Sequence, residues 1–344
     1  MEKTPVTVLT GYLGAGKTTL LNRILSEPHG KKYAVIINEF GETGIDNDLV
    51  VGADEEIFEM NNGCICCTVR GDLIRIIGGL MKRVRDFDGI LIETTGLADP
   101  GPVAQTFFAD PDVAARAKLD SIITVVDAKH LPQRLMDSAE AQEQIAFADV
   151  IILNKIDLVS EVELKNVEQA IRSINAFARL VHARMCNVPL ETVLALGSFD
   201  LDRILKLEPD FMAGWGPQGA EAQDFGSAAG DHQPSQDHVH DHTHDSAIGS
   251  VSLSASRPLD SAKFDDWIGG LRATKGQDLL RYKGILDIAG NGNRLVVQGV
   301  HMMMDGHNTT PWANNEARRS RLVFIGRNLD AKALREGFDA CIAA

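Results

Sequence analysis

The segment GYLGAGKT, residues 11–18, has the residue types and the spacing of a loop that binds phosphate groups. It matches the pattern G-x-x-x-x-G-K-[ST] and lies between a predicted strand and a predicted helix, as this pattern requires. Gly11, Gly14 and Gly16 allow backbone N–H groups to turn inward around phosphate oxygens, and the positive end of the following helix adds to the attraction. The alternative is a glycine-rich turn that binds nothing, but the complete match favours a phosphate loop.

Further residues of this loop have predicted roles with nucleotide and metal. Lys17 is expected to reach the β- and γ-phosphates, and the Thr18 hydroxyl is expected to bind Mg²⁺. Thr19 is expected to contact the α-phosphate, and Ala15 belongs to the same nucleotide-binding set. Lys17 and Thr18, together with Glu93, form the predicted catalytic set.

The segment NKID, residues 154–157, follows an apolar strand and predicts recognition of guanine. The Asp157 carboxylate can accept hydrogen bonds from the ring N1–H and the exocyclic amine, and adenine offers neither donor. Asn154 is expected to bind the O6/N7 edge, and the Lys155 stem is expected to lie along the base. The alternatives are a plain polar loop and an ATP-dependent kinase, and Asp157 argues against the kinase.

The segment ILIETTG, residues 90–96, resembles a Walker B strand that ends in an acid. Glu93 stands where Asp is usual, and its longer side chain is expected to orient Mg²⁺ or a water molecule. Gly96 is expected to donate an N–H to the γ-phosphate and to let the loop move when that phosphate leaves. No arginine finger or catalytic glutamine can be assigned, which predicts slow intrinsic hydrolysis.

The segment NEFGETGID, residues 38–46, occupies the place of a first switch between these two motifs. Asn38, Glu39 and Glu42 are its candidate switch residues. The alternative is an acidic loop that is merely solvated.

Three cysteines lie within four positions in the segment NGCICCTV, residues 62–69. Cys64, Cys66 and Cys67 are too close together for a zinc finger, which pairs two distant elements. Three thiolates on one turn could hold a soft or borderline metal and leave a fourth coordination position open. Buried structural cysteines, a redox site and a disulfide are the alternatives, and reduced cytoplasmic thiols argue against the disulfide.

A histidine tract, DHVHDHTHD, occupies residues 237–245 of a segment with little to bury. Imidazoles on a mobile chain can bind Zn²⁺, Ni²⁺ or Co²⁺ with modest selectivity. We expect an auxiliary metal-capture arm, and the alternative is a polar spacer. Its candidate ligands are His238, His240, His242 and His244.

Length and charge limit the classes of protein that this chain can belong to. Its 344 residues suggest about two domains, and 44% hydrophobic residues supply a core. The net charge of −14 argues against a nucleic-acid partner. There is no apolar run of about eighteen residues and no signal-peptide pattern, which predicts a cytoplasmic protein without a membrane span. We expect a monomer or a homodimer.

The elements that must position these motifs predict an α/β fold. Apolar runs such as PVTVLT, GILIE and ADVIILN alternate with helical patterns, which is typical of a mostly parallel sheet with crossover helices. We therefore predict a P-loop NTPase domain over residues 1–205. A flexible linker rich in His and Asp is predicted over residues 206–248. A smaller α+β domain, of ferredoxin-like type, is predicted over residues 249–344.

The chain resembles the CobW-like family of SIMIBI-class GTPases in five motifs, which occur in the order GYLGAGKTT, NEFGE, NGCICC, ETTGLADP and NKID. The resemblance continues through VHMMMDG and RLVFIGRN in the last domain, and it is strongest for the zinc-regulated GTPase metalloprotein activators. The members of this family are metallochaperones. The resemblance implies that Cys64, Cys66 and Cys67 form an internal metal site beside the nucleotide, and that the last domain is the CobW-like C-terminal domain.

These observations favour a GTP-hydrolysing metallochaperone that uses GTP and Mg²⁺, binds Zn²⁺ and delivers it to a client metalloprotein. One alternative is a zinc-buffering protein in which the nucleotide is only structural. Another is a cobalt chaperone, because thiolate and imidazole ligands accept Co²⁺ as well as Zn²⁺.

Overall fold

A computed structural model of the chain describes residues 3–38, 56–60, 68–80, 87–194, 248–313 and 316–343. No helix within these ranges is long and apolar enough to cross a membrane.

The first domain is built on a parallel sheet. Its seven strands within the described ranges are β1 Thr4–Thr10, β2 Tyr33–Asn38, β3 Glu56–Met60, β4 Gly89–Glu93, β5 Ala117–Asp127, β6 Val150–Asn154 and β7 Arg179–His182. Their order across the sheet is β3-β2-β4-β1-β5-β6-β7, and every neighbouring pair is parallel. This arrangement confirms the predicted α/β class and brings the carboxyl ends of all these strands to one edge.

Helices cover both faces of this sheet, which explains why its strands are apolar almost throughout. The described helices are α1 Lys17–Ser26, α2 Thr68–Leu80, α3 Gly101–Ala109, α4 Pro111–Arg116, α5 Leu131–Asp137, α6 Ala139–Phe147 and α7 Glu161–Ile174. In β4, Ile90 and Ile92 belong to the core cluster shared with α3, α6 and α7. Leu91 between them points to the other face, where it joins the cluster that includes α1.

The second domain combines an antiparallel sheet with two described helices. Its strands are β8 Ile248–Ala255, β9 Leu279–Leu286, β10 Asn293–Val300, β11 Met303–Pro311 and β12 Ser320–Arg327, and its helices are α8 Ser261–Lys275 and α9 Ala331–Ala340. The strand order is β11-β10-β9-β12-β8. Trp267 of α8 packs against Phe324 and Phe338 in the core between sheet and helices.

This architecture confirms the predicted α+β class of the second domain. The order of its elements, β-α-β-β-β-β-α, differs from the β-α-β-β-α-β order of a ferredoxin-like fold. Residues 195–247 lie outside the described residues, so the linker over 206–248 stays a prediction, except that Ile248 already belongs to β8.

Apolar side chains join the two domains. The face of the second sheet that lies away from α8 and α9 contributes four residues to the core cluster of the first domain, namely Ile248, Leu280, Val300 and Ile325. The interface is therefore a continuation of the hydrophobic core, which favours a fixed orientation of the two domains over free motion.

Charged side chains also connect the domains. Asp149, just before β6, accepts from Arg281 and Lys283 of β9, each at 2.5 Å from the same carboxylate oxygen. Its other oxygen accepts the N–H of Ile122 at 2.8 Å. Burial, together with repulsion from Arg281, lowers the pKa of Lys283 to about 8.

Candidate functional site

The predicted nucleotide-binding residues that the structure describes lie at the carboxyl edge of the parallel sheet. β1 ends directly before Gly11, β4 ends at Glu93 and β6 ends at Asn154. Ligands of open parallel sheets bind at this edge, because loops and helix N-termini meet there. The fold therefore brings together motifs that lie far apart in the sequence.

The phosphate loop requires glycine at two positions, because the backbone is in a conformation that side chains avoid and because neighbouring atoms leave no room for a Cβ. Gly11 has φ +140° and Gly16 has φ +116°, in the left-handed region that side chains avoid. A Cβ on Gly11 would lie 2.2 Å from the carbonyl oxygen of Val125. A Cβ on Gly16 would lie 2.7 Å from Nδ2 of Asn154. The loop is thus pressed against β5 on one side and against the NKID segment on the other.

Lys17 begins α1, and its amine folds back across the phosphate loop. Nζ donates to the carbonyl oxygen of Gly11 at 2.8 Å and to that of Tyr12 at 3.4 Å. Ala15 is buried and donates its own N–H to Tyr12 at 3.2 Å. Thr19 is exposed on the first turn of α1, where helix N–H groups lack intrahelical partners. The loop and the first turn of α1 thus bring the Lys17 amine to the place where phosphate oxygens are expected.

A hydroxyl and a carboxylate meet beside this loop. The Thr18 hydroxyl donates to an oxygen of Glu93 at 3.5 Å. Glu93 is 8% exposed and pairs in register with Leu9 of β1. Oxygen donors of this kind suit a hard cation such as Mg²⁺, so the residues present fit the ion that the phosphate loop predicts.

The loop after β4 packs directly on the phosphate loop. A Cβ on Gly96 would lie 2.7 Å from the backbone nitrogen of Leu13, so this position has no room for a side chain. The buried amide of Gln144, on α6, donates to the carbonyl oxygens of Gly96 and Ala98, each at 3.1 Å. The contact of Gln144 with this loop could not be predicted from the sequence, because no local pattern connects a glutamine of α6 with a loop 48 residues earlier.

Asn154 connects the phosphate loop with the segment after β7. Its side chain is 2% exposed, Nδ2 donates to the carbonyl oxygen of Ala15 at 2.9 Å, and Oδ1 accepts the N–H of Cys186 at 2.9 Å. The amide thus joins the phosphate loop to the segment after β7, and its predicted contact with the O6/N7 edge of guanine stays a prediction.

Lys155 and Asp127 form a second connection between the NKID segment and the phosphate loop. Lys155 donates to the carbonyl oxygen of Gly14 at 2.7 Å and to Asp127 at 2.8 Å. Burial alone would raise the pKa of Asp127, but hydrogen bonds from Lys155 and His130 outweigh it and lower that pKa. Asp127 was not predicted as a site residue from the sequence, although it ends an apolar strand in the same way as Asn154 does.

Asp157 is placed to receive a ligand. It lies in a short 3-10 turn, Ile156–Leu158, directly after β6, and its side chain is exposed. No hydrogen bond or ion pair occupies its carboxylate within the described parts of the chain. Asp157 therefore presents two acceptor oxygens beside loops that are otherwise bound to one another.

The segment after β7 completes this edge and was not found from the sequence. Ala183 accepts the N–H of Ile156 at 3.4 Å, which links the segment to the NKID turn. The Cys186 side chain is fully buried, and burial raises the pKa of its thiol to about 11. This cysteine is therefore a packing residue rather than a reactive thiol.

The remaining candidates lie outside the described residues or have no described side chain. Asn38 ends β2 and pairs with Met60 of β3, but its side chain is not described. The flanks of the cysteine segment are Met60 and Thr68, at the end of β3 and the start of α2. In the described residues, no three His, Cys, Asp or Glu side chains lie close enough together to hold a metal. The predictions outside the described residues are Cys64, Cys66, Cys67, Glu39, Glu42, His238, His240, His242 and His244.

Two family models match the chain, one over each domain. The nucleotide-binding domain of CobW, HypB and UreG matches residues 5–182. The C-terminal domain of the cobalamin synthesis protein CobW matches residues 248–342.

Individual relatives agree with these matches. The zinc chaperone YjiA of Escherichia coli is 34% identical over 343 residues, which is 98% of this chain and 98% of that protein. Zinc-regulated GTPase metalloprotein activator 1 of Schizosaccharomyces pombe is 44% identical over 189 residues, 53% of this chain and 46% of that protein. A crystal structure of Zn(II)-bound YjiA GTPase covers 100% of both chains at 30% identity, with a TM-score of 0.72.

Proposed function

Because the chain belongs to the CobW/HypB/UreG family of nucleotide-binding proteins, we propose that it is a GTP-hydrolysing zinc metallochaperone. One observation carries the nucleotide part of this proposal. Asn154 fastens the phosphate loop to residues 183–186 after β7, which we call the base-site segment, while the nearby Asp157 carboxylate stays exposed. Such an edge holds the phosphates and the base of one nucleotide at the same time.

Selection of guanine follows from the chemistry of Asp157. Its two oxygens accept the ring N1–H and the exocyclic amine of guanine, whereas adenine would leave the carboxylate without donors. Lys155 donates to Gly14 and Asp127, so its stem is held beside the place where the base lies. The preference for GTP over ATP thus depends on one exposed carboxylate on a rigid support.

Hydrolysis depends on the residues around the phosphate loop. The Lys17 amine exchanges its carbonyl partners in the loop for the β- and γ-phosphate oxygens. Thr18 and Glu93 would hold Mg²⁺, which supplies charge neutralisation on the phosphates. The N–H of Gly96 donates to the γ-phosphate, and its loop is supported by Gln144. Intrinsic turnover is slow, because no arginine finger is assigned.

Zinc is the cargo in this proposal, and Cys64, Cys66 and Cys67 are its ligands. One observation supports the location of this site, and a separate one supports the identity of the metal. The flanks of the cysteine segment, Met60 and Thr68, adjoin the carboxyl edge of the sheet at β3, and Zn(II) is bound in the crystal structure of the relative YjiA. GTP orders the loops that carry Asn38, Glu39, Glu42 and Gly96, and hydrolysis releases them.

The setting of the reaction follows from the ligand chemistry. Three free thiolates require a reducing compartment, so we place the protein in the cytoplasm. The client in this proposal is a metalloprotein, and the net charge of −14 argues against a nucleic-acid partner. The histidine tract, with His238, His240, His242 and His244, serves as an auxiliary store of metal.

One experiment separates the chaperone from a zinc buffer. Zn²⁺ affinity is measured in a metal-buffered titration with and without GTP, and GTP turnover is followed in the same samples. We expect GTP to tighten Zn²⁺ binding and Zn²⁺ to tighten GTP binding by the same factor, because binding linkage is reciprocal. Cys66→Ala should abolish this coupling. Cys341→Ala, a buried cysteine of the second domain, is the matched control and should retain it.

Other outcomes of this experiment favour the alternatives. If Zn²⁺ binds equally well without nucleotide and deletion of residues 231–245 removes the binding, the protein is a zinc buffer. If Co²⁺ shows the coupling and Zn²⁺ does not, the cargo is cobalt.

A further inference from the structure

Two successive residues of the base-site segment have a backbone conformation that side chains avoid. Met185 has φ +52° and Cys186 has φ +53°, both in the left-handed region, and neither is glycine. Such conformations persist only where the surroundings determine them, and they are frequent at ligand sites. The turn at Met185–Cys186 must therefore be held from outside.

Cys186 is held at each of its polar groups. Its N–H donates to Oδ1 of Asn154 at 2.9 Å, and its thiol donates to the carbonyl oxygen of Gly16 at 3.3 Å. Its own carbonyl oxygen accepts from the guanidinium of Arg23. The thiol therefore contacts the phosphate loop, the N–H contacts the NKID segment, and the carbonyl oxygen contacts the middle of α1.

Arg23 reaches this turn from the helix that the phosphate loop begins. The residue is half-buried, and its side chain also contacts Glu27, the residue directly after α1, at 2.7 Å from Nε. The bond to Cys186 spans 163 residues of sequence, so it fixes the base-site segment to α1. The neighbouring Ala183 accepts from Ile156, and a shift of this segment would therefore move the turn that carries Asp157.

We propose that Arg23 is a positioning residue for the guanine site. Its guanidinium holds the strained turn Met185–Cys186 in place, and through Asn154 and Ile156 it keeps Asp157 at the distance that the purine requires. This inference rests on the proposed GTP specificity. It assigns to α1 a role in reading the base as well as the phosphates.

The test compares Arg23→Met, which keeps the stem and removes the donor, with Glu27→Gln, which removes only the other partner of Arg23. The substrates are GTP and ITP, because hypoxanthine lacks the exocyclic amine and so reports the contribution of Asp157.

For Arg23→Met we expect the KM for GTP to rise about tenfold with kcat little changed, since one charge-assisted hydrogen bond is lost away from the γ-phosphate. The ratio of kcat/KM between GTP and ITP should fall toward one. Glu27→Gln should keep both values, and Arg23→Lys should restore part of the KM.

Two results would overturn the inference. One is an unchanged KM in Arg23→Met, and the other is a KM that rises equally for GTP and ITP. Failure of the proposed function is a separate outcome, because it would appear in the unmodified chain as equal use of GTP and ATP.

Discussion

The carboxyl edge of the first domain and the interface between the domains use acidic side chains in opposite ways. At the edge, Asp157 is exposed, and no partner occupies it within the described chain. At the interface, the Asp149 side chain is 5% exposed and holds Arg281 and Lys283 on one oxygen. A buried, paired carboxylate belongs to the structure, whereas an exposed one on a rigid support is available to a ligand.

The origin of the side chains also differs between the two regions. The edge takes its polar residues from the ends of strands, such as Glu93 and Asn154, because the strand interiors are buried on both faces. The interface takes Arg281 and Lys283 from the middle of β9, in a sheet whose outer face must pack on another domain. The candidate site residues therefore come from strand ends, and the charged residues that join the two domains come from the interior of a strand.

The largest effect is expected at the interface. Asp149→Ala removes the carboxylate that Arg281 and Lys283 share at the interface, which should lower the free energy of unfolding by about 3 kcal/mol. This loss of unfolding free energy is at the low end of the range for broken buried ion pairs, because a lysine with a pKa of about 8 can release its proton. Denaturant unfolding measures the change. Asp137→Ala, which breaks the partly exposed pair with Arg134, is the control and should cost less than about 1 kcal/mol. If the two variants lost the same free energy of unfolding, the buried ion pairs of Asp149 would matter no more for stability than a partly exposed pair.

At the edge, Asp157→Asn should change the substrate and leave the stability unaltered. The amide cannot accept both guanine donors, so the KM for GTP should rise about a hundredfold. XTP should become the better substrate, because the amide can donate to the 2-oxo group of xanthine. Steady-state kinetics with GTP, XTP and ATP measure this change, with Glu161→Gln on the exposed start of α7 as the control. A variant that still preferred guanine would show that the base is read elsewhere.

Contiguous motifs account for the part of the site that could be predicted from the sequence. Lys17 and Thr18 follow their glycines at fixed spacing, and Asp157 lies three positions after Asn154 in the same motif, so local chemistry alone predicts them. The apolar runs likewise predicted the parallel sheet, and the family that the motifs resemble is confirmed.

Tertiary contacts account for what the sequence could not show. Arg23 and Cys186 meet across 163 residues, and nothing in either neighbourhood indicates the other. The bracing role of Asn154 depends on a segment after β7 that no motif marks. The strand order of the second domain is similarly set by pairing between distant segments.

A smaller effect should arise where the edge depends on α6. Gln144→Leu removes the donor to the carbonyl oxygens of Gly96 and Ala98, which should loosen the loop that we propose contacts the γ-phosphate. We expect kcat for GTP to fall about fivefold, which corresponds to about 1 kcal/mol, with KM little changed. Gln142→Leu is the matched control on the same helix, because Gln142 donates only to Leu135 among the described residues. If both variants lost kcat equally, the helix rather than this amide would be responsible.

The smallest effect concerns the protonation of Lys283 at the interface. Burial and Arg281 lower its pKa to about 8 and outweigh the attraction of Asp149, whereas an unfolded lysine titrates near its ordinary value of 10.5. Between these values the unfolded chain binds more protons than the folded one, so this residue makes the folded state more stable as the pH rises.

The comparison of the native chain with Lys283→Met isolates this contribution. Between about pH 7.5 and about pH 9, the free energy of unfolding of the native chain should rise by about 1 kcal/mol relative to the variant. Denaturant unfolding at several pH values measures the difference, and other groups that titrate in this range cancel between the two proteins. If the difference instead stayed flat or fell, Lys283 would be charged in the folded protein. Its pair with Asp149 would then outweigh burial, and the interface would hold two full cations on one carboxylate oxygen.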